Sequence, residues 1–390
     1  MHLLQNKKIA IIGGGPGGLT LARLLQINGA EVKVYERDLS QAARVQCAIV
    51  DLHFDSGLKV IEAAGLLDAF KANYMTGADK YRLLDPQANI LLDEGNGNGN
   101  DRTGLTFGNP KFRPEIDRGA LRDLLIAALQ PGTVVWDSQF IEMKETNDGW
   151  QLQFKNGTTA NADLVIGADG YRSNIRTYLT DAAAIYSGAT IIQGEIDHPE
   201  TACPEIHQLV NNANLIAMGL GKTIAMQPRG DGGLTFYAAS MYPENWPKTS
   251  GIDFNNAQEV YKYLTTFYEG WNPVFYTLFK ACSHFTPRPL NYFPLEERWE
   301  TKASLTILGD AAHLMPPNGE GVNLAMLDAL DLSECLTNPA FSDLNAAIAN
   351  YEEQMIARAA ALTEETLEGI EDFAAPNEES VKNLIEMLSS

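Results

Sequence analysis

The sequence has few cysteines and no long apolar run. Its four cysteines, among 390 residues, are widely spaced and form no CxxC pair. We therefore expect neither a zinc site nor a disulfide framework, and this usage fits a reducing compartment. No apolar stretch approaches the length of a membrane span, and the N-terminus runs into a strand pattern instead of a signal peptide. These absences predict a cytoplasmic protein without a membrane partner.

Positive charge is also scarce. The chain has 29 Lys and Arg against 50 Asp and Glu, which gives a net charge of −21. Such a surface repels the phosphates of nucleic acids and anionic membranes, so neither is an expected partner. The composition, 45% hydrophobic and 20% charged, is typical of a globular protein. The length suits two or three domains.

The chain opens on a strand–helix–strand pattern, KKIAIIGGGPGGLTLARLLQINGAEVKVYERD. The apolar run 9–12 is typical of a buried parallel strand. Leucines at helical spacing follow the glycines, and Asn28-Gly29 is expected to end the helix. Residues 32–35 then predict a second strand. The pattern is that of one βαβ unit.

The glycines of this unit have the GxGxxG spacing, at Gly13, Gly15 and Gly18. This spacing allows a tight turn and a close approach to a pyrophosphate at a helix N-terminus. Glu36 ends the second strand, where a carboxylate can accept hydrogen bonds from ribose hydroxyls. We assign Arg37 to the same cofactor-binding set. The motif predicts an adenine dinucleotide but leaves FAD and NAD open, and a tight turn without ligand is the alternative.

The remaining sequence alternates between helical and strand patterns, with one low-complexity stretch. Short strand-like runs separated by turns such as RGDGG predict a mostly antiparallel sheet over residues 185–240. The other predicted features are a Gly/Asn-rich exposed hairpin tip (93–104), an amphipathic helix (117–129), a buried strand and turn (162–170), a helical segment (256–281), a strand and turn at SLTILGDAAH, a helix over GVNLAMLDALDLSECL and an acidic helical tail (344–388).

The stretch GDAAHLMPPNGEGVN, residues 309–323, has an aspartate and a histidine three positions apart. Asp310 and His313 could form a catalytic pair, bind a metal or hold a cofactor. No third ligand lies near them in sequence, so a metal is not expected. The simpler alternatives are that Asp310 caps the following segment and that His313 packs in the interior. Arg172 and Arg176, in GADGYRSNIR, could likewise be solvated helix charges.

Together, the GxGxxG turn, GADGYRSNIR (167–176) and GDAAHLMPP (309–317) resemble the three signatures of flavin monooxygenases of the aromatic hydroxylase type. The resemblance implies that Asp310 contacts the ribityl chain of FAD and that Asp169 and Gly170 lie near both FAD and a bound nicotinamide. It also places a turn against the isoalloxazine, where N–H groups at a helix start stabilise negative charge on a reduced flavin. The residues of that turn are Pro317, Gly321, Val322 and Asn323.

Several longer segments are similar to the tetracycline-inactivating monooxygenases. They include the opening βαβ unit, VDLH, HPETACPEIHQL, FPLEERW, LGDAAHLMPP and NYEEQM, and the similarity runs from about residue 7 to 355. By this resemblance Arg44 and Asp51 lie near the flavin and the path of the reductant. Arg118 is a flavin-binding arginine and Gln193 a substrate-contacting glutamine.

The sequence also departs from that family. Where its substrate pocket has an arginine, a phenylalanine and a histidine, this chain has Asn214, Ala225 and Thr235, which should change what the pocket prefers. The PPNGEG turn, which includes Glu320, is one residue shorter. No second Rossmann fingerprint exists for the nicotinamide, as in single-component hydroxylases, and the WxWxIP motif of flavin halogenases is absent.

The resemblance implies an α/β fold, with a Rossmann-like FAD-binding domain of the glutathione-reductase type, an inserted β-sheet substrate domain and C-terminal helices. NADPH or NADH would reduce FAD as a transient partner, O2 would give a C4a-hydroperoxyflavin, and a tetracycline-like polycycle would be hydroxylated by a monomer. Another aromatic or polyketide substrate, a non-oxygenating flavoprotein and an NAD-linked dehydrogenase are the alternatives. The expected boundaries are 1–74, 103–180 and 284–338 for FAD, 75–102 and 181–283 for the substrate, and 339–390 for the helices.

Overall fold

The strands divide among four sheets in this computed structural model, which describes residues 2–43, 48–95, 105–147 and 149–389. In chain order they are β1 (Ile9–Ile12), β2 (Val32–Tyr35), β3 (Ile49–Asp51), β4 (Tyr81–Leu84), β5 (Ile90–Asp93), β6 (Glu115–Asp117), β7 (Val134–Val135), β8 (Phe140–Thr146), β9 (Gly149–Phe154), β10 (Thr159–Ala162), β11 (Leu164–Gly167), β12 (Ile185–Ile196), β13 (Asn214–Gly219), β14 (Lys222–Pro228), β15 (Leu234–Met241), β16 (Phe285–Tyr292) and β17 (Leu305–Ile307).

Helices connect and cover these sheets. They are α1 (Pro16–Ile27), α2 (Lys59–Ala63), α3 (Leu67–Lys71), α4 (Arg118–Ala127), α5 (Pro199–Ala202), α6 (Pro204–Val210), α7 (Trp246–Thr249), α8 (Ala257–Phe267), α9 (Val274–Ala281), α10 (Asp310–His313), α11 (Gly321–Thr337), α12 (Leu344–Glu368), α13 (Ile370–Ala374) and α14 (Glu378–Ser389), with a π-helical turn at Phe54–Leu58.

The glycine-rich turn belongs to a five-stranded parallel sheet, of order β17-β11-β1-β2-β7. All four residues of β1 and of β11 are buried, as expected for parallel strands in the interior of an α/β layer. α1 follows β1 and packs against α4 and α11. The predicted βαβ unit and the α/β fold are therefore confirmed, and α1 ends before Asn28 as expected.

A second, seven-stranded sheet has the order β16-β12-β15-β14-β13-β4-β5. It is antiparallel except where β4 and β13 pair in parallel. One face packs on helices α6, α8 and α9 through a core that includes Phe236, Phe275 and Phe279. The opposite face carries Tyr237 and Ala239, against which α13 packs. We call this opposite face the substrate face, because the residues predicted from the sequence to contact the substrate belong to its strands.

Some elements differ from the sequence-based expectation. The helical segment 256–281 is two helices, because the chain breaks at 268–273, where Gly270 has a φ of +89° and Pro273 follows. The strand-like region also contains α5 and α6. The helical tail is three helices, of which α12 is the longest. Of the predicted hairpin tip, residues 96–104 lie outside the described residues.

No helix in the described ranges combines the length and apolarity needed to cross a membrane. The cysteines that the structure describes, Cys203, Cys282 and Cys335, are buried free thiols. Burial raises the pKa of each to about 11, so these thiols are protonated at neutral pH.

The aromatic core behind the substrate face gives a stability prediction. Phe236 is fully buried between Phe279 and Phe285, with ring centroids 5.8 and 6.1 Å away. We expect Phe236→Ala to lower the free energy of unfolding by about 3–5 kcal/mol, because it removes buried apolar area and leaves a cavity. Met241→Ala is the control on the same strand, where the side chain is 38% exposed and the loss should stay within about 0.5 kcal/mol. Equal denaturation midpoints for both variants would contradict this packing.

Candidate active site

The three glycines of the first turn have different surroundings. A Cβ atom at Gly13, whose φ is +113°, would lie 2.2 Å from the carbonyl oxygen of Ala168. A Cβ at Gly18 would lie 2.2 Å from the carbonyl oxygen of Gly13. A Cβ at Gly15 would meet no atom within 4 Å. Gly13 and Gly18 therefore allow close packing, while Gly15 faces open space at the start of α1.

That open space is a cleft of about 400 Å³. Its volume lies within the roughly 300–1,000 Å³ common for small-molecule sites. Four segments form its walls: the turn into α1, the start of α4 with β3, the turn after β11, and the loop from β17 to α11. The lining residues include Gly15, Pro16, Val50, Arg118, Gly170, Asp310, Pro317, Gly319, Gly321 and Val322.

Glu36 and Arg122 hold the glycine turn in place. Glu36 is buried, and its carboxylate accepts hydrogen bonds from the amides of Gly14 at 2.7 Å and Asp38 at 3.0 Å. Arg122 donates to the carbonyl of Gly14 and to the carboxylate of Asp38, both at 3.2 Å. The sequence did not identify Arg122, which lies one turn of α4 after Arg118, because its hydrogen-bond partners Gly14 and Asp38 are distant along the chain. Arg37 is exposed, and Arg44 lies outside the described residues.

The turn after β11 is organised by Asp169. Its carboxylate accepts hydrogen bonds from the Ser173 hydroxyl at 2.6 Å and the Asn174 amide at 2.9 Å. Burial raises the pKa of Asp169 although these hydrogen bonds oppose the shift. Asp169 therefore shapes the turn, and Gly170 next to it lines the cleft.

The two arginines of this segment have different environments. Arg176 is buried and donates to the carbonyls of Ala311 and Ala312 at 3.2 and 3.0 Å. It also pairs with Glu297 and lies over the ring of Phe293. The solvated-charge alternative is therefore wrong for Arg176, which ties the two turns of the cleft together. Arg172 is exposed.

Asp310 and His313 do not form a catalytic pair. Asp310 lines the cleft and is exposed, and it caps no helix through its side chain. His313 is buried, with Nε2 2.5 Å from the carboxylate of Asp328. Asp328 also accepts hydrogen bonds from the Gly309 amide and from Arg358, each at 2.9 Å. His313 is thus part of the interior scaffold. Across the described residues, no three His, Cys, Asp or Glu side chains are grouped as metal ligands.

The turn before α11 contributes Pro317, Gly321 and Val322 to the cleft wall. Asn323 is fully buried instead. Its side-chain oxygen accepts hydrogen bonds from the amides of His53 at 2.9 Å and Gly57 at 3.1 Å, and its amide donates to the carbonyl of Asp51 at 2.9 Å. Asn323 therefore joins α11 to β3.

The four predicted substrate residues share the substrate face. Gln193 and Tyr237 are cross-strand partners, as are Tyr237 and Ala225. Alternation along the strands puts Thr235 on the same side, and Asn214 as well. Gln193, Thr235, Ala225 and Asn214 thus lie on the four neighbouring strands β12, β15, β14 and β13.

Asn214 is buried and its side-chain amide donates to Glu115 at 2.9 Å. Burial and the nearby charge of Asp51 raise the pKa of Glu115 to about 8, although the hydrogen bond from Asn214 opposes the shift. Glu115 therefore carries a proton at neutral pH. Sequence reasoning missed this residue, because nothing local marks it as buried beside another carboxylate.

Tyr237 and Arg288 were also missed. Burial raises the pKa of Tyr237. The charges of Arg288 and Arg118 oppose this shift, and the charge of Glu195 adds to it. Arg118 lines the cleft, so one of the two cations that act on Tyr237 belongs to the cleft wall. Arg288, on β16, donates to the side-chain oxygen of Gln193 at 2.5 Å. The substrate face therefore has a cation, supplied from its edge strand.

The residues around the cleft fit a dinucleotide. The open position at Gly15, the first turn of α1, Gly319 and Gly321 offer backbone N–H groups to a pyrophosphate and an extended cofactor. A glycine turn, a DG turn and a GD turn around one cleft, beside a separate and mostly antiparallel sheet, are the features expected of an FAD-dependent monooxygenase.

Comparison with known proteins agrees with this class. The family model described as FAD binding domain matches residues 6–191 and 295–366, more than half of the chain, and the chain belongs to this family. It is 28% identical to monooxygenase asqM of Emericella nidulans, covering 84% of this chain and 83% of that protein. It is 27% identical to 3-amino-4-hydroxybenzoate 2-monooxygenase of Streptomyces cremeus, covering 95% and 88%.

Solved structures share the fold. The tetracycline destructase Tet(55) superposes with a TM-score of 0.75 at 21% identity, covering 98% of this chain and 94% of that one. The predicted relation to class A flavin monooxygenases is confirmed.

The glycine surroundings give a matched pair of predictions. Gly15→Ala should weaken FAD binding by roughly tenfold, since its methyl enters the cleft, while the free energy of unfolding changes by less than about 1 kcal/mol. Gly18→Ala should instead lower the stability of the apoprotein by more than about 1 kcal/mol, because backbone must move. Flavin fluorescence titration and thermal unfolding measure the two effects. A Gly15→Ala chain that binds FAD as tightly as the parent would contradict the placement of the cofactor.

Proposed function

We propose that the chain uses NADPH or NADH and O2 to hydroxylate a phenolic or enolic carbon of a flat, tetracycline-like polycycle. One oxygen atom enters the substrate and the other leaves as water, so that RH, O2, NAD(P)H and H⁺ give ROH, H2O and NAD(P)⁺. Bound FAD would carry electrons from the nicotinamide to oxygen and supply the reactive oxygen. The protein binds and orients the cofactor and the substrate, and it excludes water from the site.

The cofactor assignment follows the cleft from end to end. Gly13, Gly15 and Gly18 would receive the pyrophosphate, Glu36 and Arg37 the adenosine end, and Asp310 the ribityl chain. The ring would lie at the end formed by Arg118, Pro317, Gly321 and Val322, with Asp51 and Asn323 behind it and Asp169 towards the nicotinamide. The cleft lining, which includes Gly15, Gly18, Asp310 and the ring-end residues, supports this order, whereas Glu36 and Arg37 are not among the lining residues.

The observation that carries the substrate proposal is the polar row on the substrate face. Tyr237 lies opposite Gln193, to which Arg288 donates a hydrogen bond, and the charges of Arg288 and Arg118 both act on Tyr237. A tyrosine whose pKa is raised by burial keeps its proton at neutral pH and can donate a hydrogen bond to a substrate oxygen. Arg288 would orient an acidic oxygen, such as an enolate. We assign no side chain as general base.

Ala225 and Thr235 support a flat substrate. Both are short side chains of the substrate face, where Ala225 lies directly opposite Tyr237. At these two positions a ring system would meet short side chains, beside the part of the face that α13 covers. Asn214, at the border of this surface, would act through its hydrogen bond to Glu115.

We propose the domain boundaries given by the sequence, with 181–283 as the main part of the substrate domain. The family match supports this division, because it leaves residues 192–294 unmatched between its two segments. That interval contains β13, β14, β15 and β16, and the last residues of β12.

Hydroxylation of a single aromatic ring that bears a carboxylate is the second candidate. The exposed cation Arg288 favours it, since guanidinium binds carboxylate through two hydrogen bonds. The similarity to the 3-amino-4-hydroxybenzoate enzyme over 95% of the chain also supports it.

A screen of substrate-stimulated NADPH oxidation tests the function. With full FAD occupancy, tetracycline should accelerate NADPH oxidation and yield a product of +16 mass under air. Acceleration by 3-amino-4-hydroxybenzoate alone would favour the second candidate. Peroxide without hydroxylated product from any aromatic or polyketide compound would leave a non-oxygenating flavoprotein, and a colourless protein that binds no added FAD would reject both candidates.

Arg288→Gln tests the orientation of the substrate. If Arg288 binds an acidic oxygen equally in the ground and transition states, the KM for tetracycline should rise by roughly tenfold while kcat changes little. Arg298→Gln is the control, because Arg298 is exposed and donates to main-chain carbonyls of its own loop. Steady-state kinetics of the two variants measure the difference. Unchanged KM for Arg288→Gln would remove this residue from the site.

A further inference from the structure

Glu320 pairs with a histidine that also binds a second carboxylate. Nδ1 of His53 lies 2.7 Å from Oε1 of Glu320, and Nε2 lies 2.8 Å from Oδ2 of Asp51. The three side chains are largely buried, with 27, 16 and 14% exposure for Glu320, His53 and Asp51. We call this group the clasp. Both ring nitrogens face carboxylate oxygens, so both donate hydrogen bonds and the imidazole is a cation.

The protonation of His53 follows from this geometry. Burial alone would lower its pKa, but the hydrogen bonds and charges of Asp51 and Glu320 outweigh burial and raise the pKa to about 9. Glu115, across from Asp51 on β6, is the third acid that acts on this group. Its own pKa of about 8 keeps it neutral at pH 7, so it adds no charge there.

The clasp joins two walls of the cleft. Asn318 and Gly319, next to Glu320, line one wall, and Val50, next to Asp51, lines the other. A Cβ atom at Gly319 would lie 3.9 Å from Oδ1 of Asp51. A second contact attaches the turn at 317–320 to α12. The side-chain amide of Asn318 donates to the Thr366 hydroxyl at 2.7 Å, and this hydrogen bond is exposed to solvent. Of these two contacts, the one between Glu320 and His53 is better shielded from solvent.

Glu320 is the residue before α11, yet its side chain makes no cap for that helix. A carboxylate near a helix start is stabilised by the N–H groups there, and here it reaches to another segment instead. The short PPNGEG turn thus carries its acid directly to the imidazole of His53, two residues after β3. No element of the dinucleotide motif requires this contact.

We propose that Glu320 and His53 are positioning residues that fix the flavin-ring end of the cleft by holding the 317–320 turn against β3. The inference rests on the proposed placement of FAD. The clasp does not touch reacting atoms; it sets the separation of the two walls. Its strength depends on the His53 charge, because a neutral imidazole donates one hydrogen bond and leaves a carboxylate without its cation.

The pH dependence has a definite sign. The pKa of His53 in the folded protein is above its usual value, so the contribution of the clasp is fully present below about pH 6.5. It is lost as pH rises through about 9. FAD affinity should therefore fall on the alkaline side, and in Glu320→Gln the fall should begin at lower pH because one of the two carboxylates is gone.

FAD binding to the apoprotein, followed by flavin fluorescence from pH 6 to 10, tests the clasp. Glu320→Gln and His53→Gln should each weaken FAD binding by roughly tenfold at pH 7, and the double variant should be no weaker than the weaker single one. Asp55→Asn is the matched control, since Asp55 is an exposed acid two residues from His53 outside the clasp. It should bind FAD like the parent. Thermal unfolding of each apoprotein confirms that the variants fold.

The outcomes separate the two proposals. If the parent binds no FAD, the placement of the cofactor fails. If the parent binds FAD, but Glu320→Gln matches Asp55→Asn in affinity and in pH profile, the clasp is overturned while the proposed function stands. Additive losses in the double variant would also overturn it, because the two residues would then act separately.

Discussion

The buried carboxylate of Asp328 fixes the segment on which the cleft depends. It accepts hydrogen bonds from the Gly309 amide, His313 and Arg358, and thereby joins the GD turn to α11 and α12. Burial alone would raise the pKa of Asp328, but His313 and Arg358 lower it. This carboxylate therefore contributes stability at neutral pH that is lost as pH falls. Removal of one partner from such a buried group costs about 3–5 kcal/mol, because a charge is left without compensation.

The cleft itself depends on backbone that packs without side chains. Gly13 and Gly18 bring the first turn against the strand end at Ala168, and Arg176 then ties that strand end to Ala311 and Ala312. These contacts make a wall that is fixed by backbone packing and one buried arginine. The seven-stranded sheet is a separate sheet beside it. Under the proposed function, specificity would belong to residues of that sheet such as Tyr237 and Arg288.

The FAD-binding part of the fold was largely predictable from the sequence, because the motifs that mark it are local. A βαβ pattern, a GxGxxG spacing and two glycine–aspartate turns are each set by a few adjacent residues. Arg122, Asp328, Glu115 and Arg288 were not predictable, since their partners come from distant segments and each looks like an ordinary helix or strand residue. The break at 268–273 and the helices at 199–210 were missed because tertiary packing, not periodicity, decides them.

The net charge of the chain, −21, opposes the binding of an anionic pyrophosphate. The structure resolves this in two ways. Near the pyrophosphate end, backbone N–H groups and the start of α1 supply the positive potential, so few cations are needed. Around the rest of the cleft, negative charge is reduced locally: Asp51 and Glu320 share the cation of His53, and burial keeps a proton on Glu115. The acidic surface and the anion-binding cleft are therefore compatible, because the cleft is governed by its own nearest groups and solvent screens the distant charges.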